Sequence, residues 1–331
     1  MKIAVILNTR NEASEFQVEY DPPHTIELIK HAIKQTGHDY EFIEADDTVV
    51  ERLKQAKPDL VFNRAEGLRG ESRESHIPSI LEMLGIPYVG SNVLTTAIGL
   101  NKTWAKKCLA YHKILTPRFI TVSDIKDIFN FDVPFPVILK PNEEGSSMGI
   151  NEDNVVKNII DLQNKLKYML NTYKQSILVE QFIQGREFSV GILGKASDVP
   201  EILSIIEIDF SKLPKEIGNV FGQKAKTQYD NLDHYVCPAK IPNELKKRLK
   251  TNTLNICKFL DIRDFGRIDF RMNSKNQLYF LEINPLPGMD FDQENNDFSF
   301  YPYMATKSGY TYDQLIYRIL ESACYRYGLK M

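Results

Sequence analysis

Two carboxylates and one amide in the carboxyl-terminal part of the chain are spaced so that they could hold a metal ion. Asp269 lies in one apolar run, and Glu282 and Asn284 alternate in the next. Carboxylates that face each other across a sheet repel unless a cation lies between them. Mg²⁺ takes oxygen ligands and combines one or two carboxylates with substrate phosphates, so we expect Mg²⁺ here, with Mn²⁺ as the alternative ion. The competing interpretation is that the carboxylates pair with Arg267 and Arg271 on a solvated sheet face, and these residues alone leave both open.

A predicted β-hairpin would bring these side chains together. Two runs rich in β-branched, aromatic and aliphatic residues are separated by a short polar run, which is the pattern of two strands and a turn. A turn in the middle of the polar run sets Asp269 opposite Glu282 and Arg267 opposite Asn284. Because side chains alternate along a strand, Phe280 should share the face of Glu282.

The composition is that of an ordinary globular protein. The chain has 331 residues, of which 43% are hydrophobic and 26% charged, and this length predicts two or three domains. The net charge of -3 and the pI near 6.1 give no reason to expect a nucleic-acid or anionic-membrane partner. Four cysteines without C-x-x-C spacing indicate reduced thiols. With no apolar stretch long enough for a signal peptide or a membrane span, we expect a cytoplasmic protein.

The N-terminal part alternates strand-like and helical patterns. Residues 2–8 form a nearly continuous apolar run, as in a strand buried on both faces of a parallel sheet. The alternation predicts an open, mostly parallel α/β domain that ends near Ser91, with a last strand at 87–90. Ligands in such sheets lie beyond the carboxyl ends of the strands, which favours the charged loops 8–21 and 63–76. For any single residue there, ordinary solvated-loop chemistry is the alternative.

Six segments of the chain stand in the order that they have in a known superfamily. They are LGIPYVGS, LNK, PVILKPNEEGSSMGI, LVEQFIQGREFSVGILG, GRIDF and LEINPLPGM. Each is a weak pattern by itself, whereas the six in order resemble the ATP-grasp superfamily and, within it, the D-alanine–D-alanine ligase group over nearly the whole chain. The resemblance implies an enzyme that uses ATP to join a carboxylate to an amine.

The resemblance also implies the domain organisation. It predicts an ATP-grasp fold with α/β and α+β parts. A Rossmann-like, open parallel α/β domain would span 1–92, and two α+β domains at 93–185 and 186–331 would sandwich ATP. The partners would be a small carboxylate and a small amine, most simply amino acids, and the protein would form a homodimer.

The resemblance assigns residues to the phosphates of ATP. Lys102 and Lys140 would contact phosphate, the second from an apolar strand. The run that begins at Glu144 resembles the mobile flap that closes over the triphosphate, with hydroxyl donors at Ser146 and Ser147. A Gly- and Ser-rich run seen alone is more often an ordinary turn.

The strand ILVEQFI is interpreted as an edge that faces adenine. A backbone edge offers the base a donor and an acceptor at fixed spacing. The resemblance assigns the backbone of Gln181, Phe182 and Ile183 to adenine. It assigns Glu180 to the exocyclic amine and Glu187 to the ribose hydroxyls. The alternative is that the glutamates only keep an edge strand soluble.

The resemblance further assigns the catalytic groups. Arg267 and the backbone N–H of Gly288 would stabilise the oxyanion of the tetrahedral intermediate, where donors must be placed in advance. Lys226 would neutralise a phosphate or a carboxylate, and Ser146 is a further catalytic candidate because its hydroxyl can donate to phosphate oxygens.

The two N-terminal loops depart from the pattern of the ligase group. The first lacks the Gly-rich segment followed by Glu-Val-Ser, so Glu12, Glu15 and Glu19 all remain candidates for orienting the amino group of the first substrate. In the second loop, Glu66 precedes a glycine where the group has His-Gly, and Glu71 matches a later acidic residue.

Two further departures follow. Lys226 precedes Thr227, where the group commonly has Lys-Tyr. After Gly288 an acidic stretch begins at Asp290, which would favour a cationic acceptor, unless it is a solvated insertion remote from the substrate. The sequence thus predicts an amino acid ligase and leaves open D-alanine–D-alanine ligase itself, a small-molecule kinase and a nucleotide-binding module without turnover.

Overall fold

The structure is a computed structural model. It describes residues 1–12, 14, 17–129, 131–194, 199–229, 231–292 and 297–331, apart from the side chains at 227 and 297. The substrate candidate Glu15 therefore lies outside the described residues. The three main sheets lie within residues 1–92, 93–185 and 186–331 in turn.

The N-terminal part alternates strands and helices. Its elements are β1 (Lys2–Leu7), α1 (Pro23–Gln35), β2 (Asp39–Glu44), α2 (Val49–Ala56), β3 (Leu60–Asn63) and α3 (His76–Leu84). The strands form a parallel sheet in the order β2, β1, β3, as the alternation predicts. β1 is buried on both faces because Val5 packs in the core that includes α1 and Ile6 packs in the core that includes α2. The predicted strand at 87–90 contributes only a bridge between Val61 and Tyr88.

The middle part contains an antiparallel sheet. Its elements are α4 (Val93–Leu100), α5 (Lys102–Tyr111), β4 (Phe119–Val122), β5 (Val137–Pro141), β6 (Val155–Val156), α6 (Ile159–Tyr173) and β7 (Ile177–Gln181). The strand order is β4, β7, β5, β6. α6 covers the sheet with Leu162, Leu166 and Met169, which lie one turn apart on one helix face. α5 instead contributes Ala105 and Leu109 to the core of the third sheet.

The third part contains the largest sheet. Its elements are β8 (Arg186–Leu193), β9 (Glu201–Ile202), β10 (Ile206–Ile208), α7 (Gln223–Gln228), β11 (Tyr235–Val236), α8 (Asn243–Leu260), β12 (Phe265–Met272), β13 (Leu278–Asn284), β14 (Phe291–Asp292), β15 (Asp297–Phe298), α9 (Phe300–Lys307) and α10 (Tyr312–Tyr327). The antiparallel order is β11, β10, β8, β12, β13, with β9 paired to β8. α8 shares a core with the sheet, in which Leu249 and Ile256 lie with Ile268 and Phe270.

The β12–β13 hairpin forms as predicted at its open end. Arg267 pairs with Asn284, and Asp269 pairs with Glu282. A β-bulge directly after Asp269 then shifts the register by one residue. The prediction that Phe280 shares the face of Glu282 is wrong, because the bulge turns the other half of β13 over and buries Phe280 in the core under the sheet.

The N-terminal sheet and the last helix share one core. Val5 and Phe62 lie in the same buried cluster as Leu315 and Ile319 of α10, and α1 packs against α10. Within the part of the chain that the structure describes, no helix is long and apolar enough to span a bilayer.

Candidate active site

Two adjoining cavities lie over the hairpin. The first, the Asp21 cavity, is lined by residues of all three parts of the chain, among them Asp21, Lys102 and Gly288. The second, the Glu180 cavity, is lined by the middle and third parts, among them Glu180 and Asp269. The cavities adjoin because five residues line both: Phe221, Lys226, Arg267, Glu282 and Phe300. Three of the predicted site residues therefore lie where the cavities meet.

The hairpin brings the three proposed metal ligands together, but their partners differ. The Asp269 carboxylate accepts hydrogen bonds from Ser189 Oγ at 2.6 Å and from Arg267 Nη2 at 2.9 Å. Asn284 Oδ1 accepts from the backbone N–H of Leu286 at 3.0 Å. For Asp269, the pairing with arginine that stood as the alternative is present.

Glu282 is a carboxylate surrounded by cations. Its Oε2 lies 4.0 Å from Lys102 Nζ. Burial raises the pKa of Glu282, but Lys102, Lys140, Lys226 and Arg267 outweigh this effect and bring the pKa to about 2. Glu282 is therefore ionised at neutral pH, as a metal ligand must be.

The hairpin oxygens suit a metal ion that draws its other ligands from elsewhere. Among the described residues, no group of three or more His, Cys, Asp and Glu side chains is placed to hold a metal ion. Asp269, Glu282 and Asn284 supply protein oxygens only, and two of them are carboxylates. This donor set fits a hard divalent cation that completes its shell with phosphate and water oxygens.

Glu180 is buried between two lysines. Its carboxylate oxygens lie 2.8 Å from Lys106 Nζ and 2.7 Å from Lys140 Nζ, and Lys106 is fully buried. Burial raises the pKa of Glu180, yet the two ammonium groups outweigh it and hold the pKa below its ordinary value. Because each oxygen already faces an ammonium group, a contact between Glu180 and the adenine amine would compete with these lysines.

The strand assigned to adenine is an inner strand, so the prediction of an edge is wrong. β7 pairs with β4 on one side and with β5 on the other. The N–H groups of Gln181 and Phe182 donate to the carbonyls of Arg118 at 2.8 Å and Pro136 at 2.9 Å. The Ile183 N–H, which follows the strand, has no acceptor among the described residues. All three residues line the Glu180 cavity, and Ile183 offers the free donor.

The flap residues line the two cavities. Ser146 lines the Asp21 cavity and Ser147 lines the Glu180 cavity. Both have left-handed backbone conformations, with φ of 46° and 60°, which cost about 1–3 kcal/mol each in a non-glycine residue. Lys102 Nζ donates to the carbonyl of Glu144, so a predicted phosphate ligand also holds the start of the flap.

The two proposed oxyanion donors line the Asp21 cavity. The Arg267 guanidinium is fixed by Asp269 and lies over the ring of Phe300, 5.6 Å from its centroid. A Cβ at Gly288 would lie 2.4 Å from Ser299 Oγ and 3.2 Å from Ser299 Cβ, so a larger residue would force the Ser299 side chain to move.

Lys226 and Glu187 bring further partly buried charged groups to the Glu180 cavity. Burial lowers the pKa of the Lys226 ammonium, and the positive charge of Arg267 lowers it further. Burial raises the pKa of Glu187, whose Oε2 lies 3.6 Å from Arg271 Nε. The side chain of Thr227 lies outside the described residues.

Three of the predicted substrate residues line the Asp21 cavity, namely Glu19, Glu66 and Asp290. Glu71 is exposed and lies outside this cavity. Its place is taken by Glu74, because the short helical turn at 73–75 buries that side chain.

Sequence reasoning missed three charged residues of the site. Asp21 and Arg64 line the Asp21 cavity beside Glu66. Arg64 directly follows β3, and a position at the carboxyl end of a parallel strand was a usable signal. Lys106 follows Lys102 by four residues in α5, so both lie on the same helix face.

The fold and the site define the class of the protein. Two antiparallel sheets carry buried lysines, a flap and facing carboxylates around adjoining cavities, behind an N-terminal parallel sheet. This is the ATP-grasp fold, as the sequence predicts.

Comparison with known proteins identifies the family. The family model described as D-ala D-ala ligase C-terminus matches residues 107–321. A D-alanine–D-alanine ligase of Aquifex aeolicus is 30% identical, over 96% of this chain and 98% of that protein. The crystal structure of a D-alanine–D-alanine ligase from Bacillus anthracis complexed with ATP has a TM-score of 0.74 at 25% identity, covering 98% of this chain and 97% of that one. The VanG D-Ala:D-Ser ligase from Enterococcus faecalis shares the fold, with a TM-score of 0.72 at 20% identity over 97% and 99%.

The chain belongs to the D-alanine–D-alanine ligase family. It is an ATP-dependent ligase that forms a carbon–nitrogen bond between a carboxylate and an amine, which confirms the prediction from the sequence. Membership implies ATP, a divalent metal and small-molecule substrates.

Proposed function

We propose that the enzyme joins two amino acids, or an amino acid and a related amine, through an acylphosphate. A carboxylate oxygen of the first substrate attacks the γ-phosphorus of ATP, and the bond to ADP breaks. The amine nitrogen of the second substrate then attacks the acyl carbon and gives up a proton as phosphate leaves. The products are an amide, ADP and phosphate.

The observation that carries this proposal is the junction of the two cavities. Lys226, Arg267 and Glu282 line both cavities, so the same side chains could serve phosphate transfer and acyl transfer. A carboxylate bound in the Asp21 cavity and a triphosphate in the Glu180 cavity would meet there. Holding reactants in such proximity removes much of the entropic barrier to a reaction.

ATP would be held mainly by the Glu180 cavity. The Ile183 N–H would donate to adenine, and Glu187 would accept from the ribose hydroxyls. Lys140 and Lys102 would offset phosphate charge. Asp269, Glu282 and Asn284 would hold Mg²⁺, or Mn²⁺ in its place, which when bound neutralises charge on the phosphates.

The acyl-transfer step would depend on donors that are already in place. Arg267 and the Gly288 N–H would stabilise the oxyanion, and the ion pair with Asp269 orients the guanidinium in advance. Ser146 and Ser147 lie in the flap, whose closure would keep water away from the acylphosphate. The proposal also includes a homodimer, which rests on the family resemblance, and a cytoplasmic location.

The test is ATP-dependent phosphate release with a panel of single amino acids and amino acid pairs, with mass spectrometry of every product. D-alanine with D-alanine belongs in the panel because relatives carry that name. Release that needs a pair and yields the condensed mass supports the ligase. A phosphorylated product from a single substrate would instead indicate a kinase, and ATP binding without release for any pair would refute the proposed function.

A further inference from the structure

One wall of the Asp21 cavity is unusually acidic. Besides the carboxylates of the flap and the hairpin, five carboxylates line this cavity, and we call them the acidic wall: Glu19, Asp21, Glu66, Glu74 and Asp290. They lie close enough to influence one another, because Glu19 and Glu66 raise the pKa of Glu74, and Asp290 raises that of Asp21. Buried like charges need counter-charges.

Arg64 supplies the first counter-charge. It forms an ion pair with Glu66, and its Nη2 lies 3.5 Å from Asp21 Oδ1. Asp21 is 2% exposed, and no described residue donates a hydrogen bond to its Oδ2. Arg64 therefore satisfies Glu66 and leaves Asp21 half satisfied.

Two other arginines reach the acidic wall from outside the lining. Arg73 Nη2 lies 2.7 Å from Glu19 Oε2 and 2.9 Å from Glu144 Oε2, so it is shared with the flap. Arg10 Nη2 lies 3.8 Å from Asp290 Oδ2. Three guanidinium groups thus face the acidic wall and Glu144, and the cationic side chains of Lys102, Lys226 and Arg267 also line the cavity.

Glu74 has no direct hydrogen-bond or ion-pair partner among the described residues. It lines the cavity and is 6% exposed. Within the described part of the chain, its carboxylate accepts no hydrogen bond and has no cation within ion-pair distance, although the charges of Arg73 and Arg64 act on it from further away. Burial is the main reason that its pKa is raised well above the ordinary value, with Glu66 and Glu19 adding to the effect. An unpaired, buried carboxylate at a cavity wall is a binding group for a donor that the protein does not supply.

We infer that one of the two substrates carries a cationic side chain, an ammonium or a guanidinium, which Glu74 and Asp21 receive in the Asp21 cavity. This inference rests on the proposed function, since it names the class of amino acid that the site takes. An ordinary amino acid brings a single ammonium group with three donors. Asp21 Oδ2 and the Glu74 carboxylate both lack a hydrogen-bond donor among the described residues, and a basic side chain would bring a second set of donors to them.

The experiment compares basic amino acids with neutral analogues of the same length. Lysine, ornithine and arginine, as D and L forms, are set against norleucine, norvaline and citrulline, each as one member of a pair and each assayed by phosphate release and product mass. We expect kcat/KM for the best basic amino acid to exceed that of its neutral analogue by roughly tenfold to a hundredfold, the range of one hydrogen bond to a charged group.

Variants of Glu74 test whether this carboxylate causes the preference for a substrate with a cationic side chain. Glu74→Gln should reduce the preference for the basic amino acid by about tenfold or more, through KM, while KM for ATP stays as in the wild type. Glu74→Asp keeps the charge and should retain part of the preference. Glu71→Gln is the matched control, because its carboxylate is exposed on the same loop, and it should leave the preference unchanged. Thermal unfolding with and without ATP shows whether each variant is folded.

The outcomes separate this inference from the proposed function. Condensed products from neutral amino acids with equal or higher kcat/KM would overturn the inference and leave the ligase standing. A preference for basic amino acids that survives Glu74→Gln and Asp21→Asn alike would overturn the assignment to the acidic wall. Absence of release and of condensed product for every pair would overturn both.

Discussion

The Arg267→Ala variant separates the roles of this guanidinium in catalysis and in structure. In the catalytic role the arginine is an oxyanion donor, and loss of one such donor lowers kcat by about 10²–10³, or about 3 kcal/mol. In the structural role it pairs with Asp269, which would keep Ser189 as its hydrogen-bond donor. A hydrogen bond to a charged group contributes about 1.5–3 kcal/mol, so the free energy of unfolding should fall by that order.

The assay combines steady-state kinetics with unfolding. Phosphate release at saturating substrates gives kcat, titration with ATP gives its KM, and urea denaturation gives the free energy of unfolding. We expect kcat to fall far more than the affinity for ATP. Arg267→Lys should recover the charge but only part of the rate, because an ammonium lacks the guanidinium fork.

The control is Arg186→Ala on β8, where the arginine is partly exposed and pairs with Glu207. It should change kcat little. An unchanged kcat in Arg267→Ala would refute the assignment of the oxyanion donor. A loss of kcat matched by an equal loss of affinity for ATP would show that Arg267 serves binding instead.

Three further variants probe other buried charges. Glu282→Gln should abolish ATP-dependent turnover at any Mg²⁺ concentration, because the one remaining carboxylate, Asp269, cannot hold the metal in place. Phosphate release near the wild-type rate would show that the hairpin carboxylates have only a structural role. Lys106→Met should lower the free energy of unfolding by about 3–5 kcal/mol in urea denaturation, because it leaves Glu180 with one partner. Lys107→Met removes an exposed lysine next to it and should change the free energy of unfolding little. Equal losses in the two variants would contradict the argument from the buried pair. Asp21→Asn should gain stability relative to the wild type as pH rises. Burial, opposed by Arg64, raises the pKa of Asp21 from 3.8 to about 7, so its contribution is fully present below the ordinary pKa and is lost as pH rises to about 7. A stability difference that stays constant between about pH 4 and about pH 7 would contradict this reasoning.

The hairpin shows what the sequence can predict. Alternation along two short strands with one polar turn leaves few registers, so the pairing of Asp269 with Glu282 follows from the pattern. The bulge after Asp269 could not be predicted, because an extra residue in one strand leaves no mark in composition. It moved Phe280 and left the ligand positions in place.

The acidic residues show where sequence reasoning fails. Glu71 and Glu74 are equally acidic and lie in the same loop, and only the helical turn at 73–75 decides which one is buried. Lys106 looks like one of several lysines on a surface helix, yet its burial depends on Glu180, which lies far along the chain. Pairings of this kind are long-range and depend on the packing of separate parts, which local patterns do not contain.

The position of β7 is a similar case. An apolar strand flanked by glutamates fits an edge and an inner strand equally well, and only the pairing with both β4 and β5 decides. The N–H groups of Gln181 and Phe182 already donate to carbonyls next to the neighbouring strands, so only the Ile183 N–H of these three is free to donate to a ligand.

The core that joins β1 to α10 sets an order on how the chain can fold during synthesis. β1 packs in the same cluster as α1 and α10, so its contacts with Leu315 and Ile319 can form only after α10 has been synthesised. Closing so long a loop costs little more than closing one of half the length, but contacts of such separation form slowly. Val5, Leu7 and Phe62 therefore lack part of their buried contacts until α10 is made, although α1 already packs in the same cluster.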